Sequence, residues 1–130
     1  AAIYICRDLV RERAQLTIYD PKVPEATIRH DLLAACTDMH GHVNADDQAL
    51  IESNVTVVND CYEASQDAHA IAVLTEWDEF KELDFRKIYA SMHRPSFLFD
   101  GRNLLDHQRL LEYGFEIHAI GKSPERRSSN

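Results

Sequence analysis

The chain has 130 residues, 45% hydrophobic and 28% charged, enough to bury one core of ordinary size. Its formal charge of −8 excludes a general nucleic-acid binder, because the long-range field repels phosphate backbones. Any phosphate site must therefore be local, built from a few placed donors. No apolar run is long enough to span a bilayer and no secretory pattern opens the chain, so neither membrane nor nucleic acid is an expected partner. Three cysteines, Cys6, Cys36 and Cys61, show no CxxC spacing and suit a reducing, cytoplasmic setting.

Helical periodicity starts at once, with Ala2, Ile5, Cys6, Leu9 and Val10 forming one apolar stripe. No methionine or capping residue precedes it, which predicts that residues 1–14 end a longer helix and that the chain is part of a longer protein. LTIYD (16–20) reads as a strand stopped by Asp20-Pro21. Pro24-Glu25 fits the first turn of a helix whose stripe is Ile28, Leu32, Leu33 and Cys36. Residues 37–54 are polar and read mainly as loop, with a short helix around 48–51.

VTVVN (55–59) is a second strand, and Asp60 caps the short helix CYEASQDA. AIAVLT (70–75) is nearly all apolar, as expected of a central strand covered on both faces. Phe85, Ile88, Tyr89 and Met92 repeat at helical spacing until Pro95. Residues 96–99 form a fourth strand, 104–112 a helix ended by Gly114, and 115–120 a fifth strand. The polar tail 123–130 reads as disordered. Strands alternating with helices predict an α/β, Rossmann-like three-layer domain, with a five-stranded, mostly parallel sheet and helices on both faces.

Several chemistries are testable against the residues. The turn after the first strand is DPKVPE, without the glycines of GxGxxG, so NAD is not expected to bind here in the Rossmann manner. A P-loop is absent too. A receiver-type phosphoacceptor would use Asp20 and Lys122, but it needs an aspartate ending the third strand, where Thr75-Glu76 stands. Cys36, Asp38, His40 and His42 cluster without a second ligand pair and read as a solvated loop, so no metal is expected. Cys61 stands at a helix start with no assignable base and reads as structural. In TEWDEF (75–80), Thr75 or Asp78 caps a helix while Trp77 and Phe80 pack over the sheet edge; alternatively, Trp77 and its neighbours line a nucleotide cleft or a domain interface.

The strongest candidate is Arg102. It lies in the turn after the fourth strand, the edge of a parallel sheet where ligands bind, with a helix N-terminus beside it. Gly101 lets the backbone turn tightly beside a ligand, and Asn103 adds an amide donor or a cap. An anion such as a phosphate suits that setting. The competing explanation is a surface arginine paired with Asp100 or Asp106.

The run AHAIAVLTEWDEFKELDFRKIYASMHRPSFLFDGRNLLDHQRLLEYGFEIHAIGK, with IYDPKVP upstream, resembles the C-terminal domain of the UDP-glucose 6-dehydrogenase family. TEW followed by FDGRN signals a nucleotide-sugar dehydrogenase, and KELD and GFEIHAIGK narrow it to the UDP-glucose enzymes. The resemblance implies that residues 1–122 bind the UDP end of UDP-glucose. The remaining domains of the parent enzyme would then supply NAD binding, the contacts of a homo-oligomer and a catalytic cysteine with its lysine, aspartate and asparagine. Such an enzyme oxidises UDP-glucose to UDP-glucuronate with two NAD. The resemblance carries over substrate contact to Arg102 alone; none of Cys6, Cys36 or Cys61 matches the catalytic cysteine's motif, and no catalytic residue is expected in this chain. Two alternatives stay open: a stand-alone nucleotide-binding or interaction module, and a domain of a GDP-mannose dehydrogenase.

Overall fold

The computed structural model describes residues 2–119. The expected tail (123–130), Lys122 and the last residue of the expected fifth strand lie outside them. The chain divides into two compact units, one ending at Ala64 and the other beginning at Ser65.

In the first unit, α1 (Ala2–Arg11) packs on α2 (Glu25–Ala35) and α3 (Ala45–Asn54), and β1 (Leu16–Tyr19) pairs in parallel with β2 (Val55–Val58). Leu16 stands opposite Val55 and Tyr19 opposite Val58. Val10, Leu32, Cys36, Ile51 and Val55 form the core, with Ile3, Cys6, Leu16 and Ile18 packed against it. The buried arc of α1 is therefore Ile3, Cys6 and Val10, while Ile5 and Leu9 are exposed. Cys6 and Val10 of the expected stripe are retained, Ile3 joins them, and Ile5 and Leu9 turn outward.

The largest departure from expectation here is α3, a ten-residue helix where the sequence reads mainly as loop. Its inward face carries only Leu50 and Ile51 as large apolar residues, too few for a visible stripe. Its start is fixed instead by Asn44, whose side chain accepts the Asp46 and Asp47 N–H groups. Asp47 is itself buried and takes Arg11 Nε at 3.2 Å and Nη2 at 3.0 Å, tying α3 to α1. Pro24 stands at the N-cap of α2 rather than inside its first turn.

α4 (Cys61–Ser65) lies in the first unit except for its last residue, and the second unit carries β3 (Ala70–Val73), a 3-10 helix (Asp78–Glu82), α5 (Phe85–Ser91), β4 (Phe97–Asp100), α6 (His107–Tyr113) and β5 (Glu116–Ala119). The three strands are parallel in the order β3-β4-β5. Leu98 and Ile117 are fully buried on one face of this sheet, while on the other Ala72 is exposed and Phe99 is 43% exposed. α6 packs on β5 and α5, and Phe115 sits edge-on to Phe85 and Tyr89.

The sheet is thus not five-stranded: a two-stranded and a three-stranded parallel sheet take its place. Apolar periodicity marks where strands lie, but the ladder joins backbone groups that carry no sequence signature, so partners are not legible from it. The same limit misplaced β3. It ends the order β3-β4-β5 instead of standing in the middle, and its two alanines are exposed. The central strand is β4.

Candidate functional site

β4 brings Asp100 to the carboxyl edge of the three-stranded sheet, level with Val73 of β3 and Ala119 of β5. Gly101 continues the edge by donating its N–H to the Val73 carbonyl at 2.9 Å. Residues 101–106 then form a loop, and α6 starts at His107, three residues later than its apolar pattern indicates. Leu104 and Leu105 belong to the loop. The left-handed residue of this turn is Asn103, at φ 53°, not Gly101.

Asp100 explains this loop. Its side chain is fully buried, and its Oδ1 accepts the N–H groups of Arg102 (3.3 Å) and Leu104 (3.0 Å). Oδ2 accepts the Leu105 N–H at 2.9 Å and stands 2.7 Å from His107 Nε2. Burial by itself would raise the carboxyl pKa, but the bonds from Leu105, His107, Leu104 and Arg102 outweigh it and hold the group below its ordinary value. Asp100 is therefore ionised at neutral pH, so His107 Nε2 carries the proton between them. Sequence reasoning offered Asp100 only as a possible surface partner of Arg102, because an aspartate before glycine reads as an ordinary turn former. The available signal was its place at the end of an otherwise apolar strand.

This geometry corrects one expectation. The N–H groups of the loop, which the sequence offers to a ligand anion, are turned inward onto Asp100. The start of the seven-residue α6 is likewise occupied, since Asp106 accepts the Arg109 N–H. What faces outward is the Arg102 side chain, 51% exposed. Its ion-pair partner is neither Asp100 nor Asp106 but Glu76, with Nε to Oε1 at 3.5 Å and the glutamate 60% exposed. A long contact between two exposed side chains holds the guanidinium weakly. It joins the two loops that TEW and FDGRN occupy, at the ends of β3 and β4.

Trp77 is half-buried and stands at the N-cap of the 3-10 helix, with no side-chain capping bond; neither Thr75 nor Asp78 takes that position. Phe80 is buried. A groove of about 250 Å³ lies between this helix, α5 and α6, lined by Lys81, Phe85, Leu104, Asp106, Arg109 and Tyr113 among others, and Arg102 is outside it.

The other candidates are dispersed or occupied. Cys36 is in the core of the first unit, where burial, followed by the charge of Asp47, pushes its thiol pKa up. Asp38 closes a turn by accepting the His40 and His42 N–H groups at 2.9 Å each. Among the described residues no three metal-ligating side chains converge. Burial also pushes the Cys6 thiol up, and Cys61 opens the five-residue α4 half-buried.

After β1, Asp20 Oδ1 closes the turn by accepting the Lys22 and Val23 N–H groups at 2.8 and 3.1 Å.

A parallel α/β unit with an arginine-bearing loop at the carboxyl edge of its central strand has the architecture of the Rossmann-like α/β class, in which ligands bind at that edge. Residues 1–107 match the UDP-glucose/GDP-mannose dehydrogenase family, UDP binding domain. The chain belongs to this family.

Its relatives include UDP-glucose 6-dehydrogenase 1 of Arabidopsis thaliana, 50% identical over 123 residues that cover 93% of this chain and 26% of the relative. UDP-glucose 6-dehydrogenase 3 of Oryza sativa subsp. japonica and UDP-glucose 6-dehydrogenase 1 of Glycine max are each 45% identical over 123 residues, 93% of this chain and 25% of their own length. The chain spans about a quarter of the length of the curated relatives it matches.

Proposed function

We propose that this chain is the UDP-gripping domain of a cytoplasmic, homo-oligomeric UDP-glucose 6-dehydrogenase, with Arg102 as the contact to the nucleotide sugar. The parent enzyme oxidises UDP-glucose to UDP-glucuronate with two NAD, bound by its other domains. Residues 1–122 act in that reaction by position. The Arg102 guanidinium forms paired, charge-assisted bonds with phosphate oxygens or neighbouring sugar hydroxyls. Holding the non-reacting end of the substrate helps keep the glucose C6 at the catalytic groups elsewhere in the enzyme.

One observation carries the reading. Arg102 projects from a loop whose backbone is internally satisfied, and its partner Glu76 is a weak, exposed one that a diphosphate can outcompete. Family membership and the printed names of the relatives support the choice of a UDP-sugar.

In the full-length protein, Arg102→Ala is expected to weaken UDP-glucose binding roughly 10- to 100-fold, the scale of losing a bond or two to a charged group. NAD binding should stay as it was. Unchanged UDP-glucose affinity in a calorimetric titration refutes the assignment. The 130-residue chain mixed with UDP-glucose and NAD is expected to form no NADH, and turnover would overturn the positional role.

A further inference from the structure

The loop that carries Arg102 is held at both ends. At its entrance Asp100 is fixed in the middle of the sheet, between β3 and β5. At its exit stands His107, the first residue of α6, whose helical frame is set by Asp106 accepting the Arg109 N–H and by the Leu110 N–H bonding to the Asp106 carbonyl. The 2.7 Å contact between His107 Nε2 and Asp100 Oδ2 joins these two ends across the six loop residues. It is nearly dry, with side-chain exposures of 11% and 0%. In such a setting a charge-assisted bond is short and strong, and it fixes geometry more firmly than a bond exposed to water.

Three further bonds converge on the same carboxylate, from the N–H groups of Arg102, Leu104 and Leu105. Two of the four donors share Oδ2, and one of those two is His107. The imidazole is the one side-chain donor among these four, so it helps orient the carboxylate plane that also receives the Arg102 N–H.

We propose that His107 is a positioning residue for the nucleotide diphosphate: through Asp100 it sets the 101–106 loop, and thereby the point at which the Arg102 guanidinium meets the ligand. This rests on the reading of Arg102 given above. His107 itself does not touch the ligand. Its contribution is to restrict the loop before binding, which reduces the ordering that binding would otherwise require.

The test uses UDP as the probe, titrated calorimetrically into the full-length protein and into three His107 variants, with Arg102→Ala alongside. A glutamine places its amide nitrogen near the position of Nε2 and can still donate to Asp100 Oδ2; an asparagine amide is too short to reach. His107→Gln is expected to retain UDP affinity, whereas His107→Asn and His107→Ala lose about tenfold, the scale of one hydrogen bond to a charged group. Space-filling alone would not separate glutamine from asparagine in this way. If His107→Ala does not fold, the Gln-to-Asn comparison decides the matter. Wild-type affinity in folded His107→Asn, with Arg102→Ala impaired, overturns the positioning role and leaves the Arg102 reading standing. Wild-type affinity in Arg102→Ala overturns both.

Discussion

Asp100→Asn tests how much of the loop depends on one charge. The side chain is fully buried, and each oxygen accepts two donors: Arg102 and Leu104 on Oδ1, Leu105 and His107 on Oδ2. An asparagine with its NH₂ at the Oδ1 position faces the Arg102 and Leu104 N–H groups and loses both bonds; with its NH₂ at the Oδ2 position it loses the Leu105 bond and keeps the His107 contact only by reversing it, the imidazole Nε2 then accepting. Bonds to a charged group contribute roughly 1.5–3 kcal/mol each, so losing one or two of them should cost about 1.5–6 kcal/mol. That is a large share of the ~5–15 kcal/mol by which domains are stable. Urea denaturation of both proteins at pH 7 measures the difference.

The pH dependence gives a second, independent reading. The folded carboxyl pKa lies below its unfolded value, ordinarily ~3.9, so the folded state binds fewer protons in that range. The stabilisation is complete above the unfolded pKa and is lost as pH falls through the lower folded one. The gap between wild type and Asp100→Asn should therefore shrink below about pH 4. A loss under ~1 kcal/mol at pH 7, or a gap unchanged from pH 7 to pH 2, would refute the claim that the carboxylate organises this loop.

Two further outcomes follow from the geometry. Glu76→Gln removes the anion 3.5 Å from Arg102 and should strengthen UDP binding about two- to fivefold at low salt, within the ~1 kcal/mol range of exposed ion pairs; weaker binding by calorimetry would assign Glu76 to the ligand instead. Gly114→Ala should destabilise by about 2–4 kcal/mol, because φ is +115° and the new methyl would lie 2.5 Å from Tyr89 Oη. Tyr89 is itself held between Phe115 and Arg94, so it cannot yield cheaply, and a thermal melt within 2 °C of wild type would contradict this.

Much of this was legible in the chain itself. Strand positions came through because β-branched runs such as VTVV stand out, and Gly114 was recognisable as the left-handed C-cap it proves to be. α3 was not, since its boundary is fixed by the Asn44 cap and its burial by an Asp47–Arg11 pair rather than by an apolar stripe. Strand partnership was opaque for the reason that a four-residue ladder is written in backbone hydrogen bonds. At the site, Arg102 was legible as an exposed cation in a post-strand turn. Its partner Glu76 was not, because that pair depends on β3 and β4 being neighbours. The role of Asp100 required coordinates, since a buried aspartate gathering four donors has the same local sequence as a solvated turn.

A loop that satisfies its own amides separates architecture from vocabulary. With residue 100 supporting the wall, position 102 can exchange one outward-facing side chain for another without rebuilding the backbone beneath, whereas the left-handed backbone at position 103 favours asparagine or glycine. Descendants of such a domain could change which sugar nucleotide they greet by single substitutions, at little risk to folding.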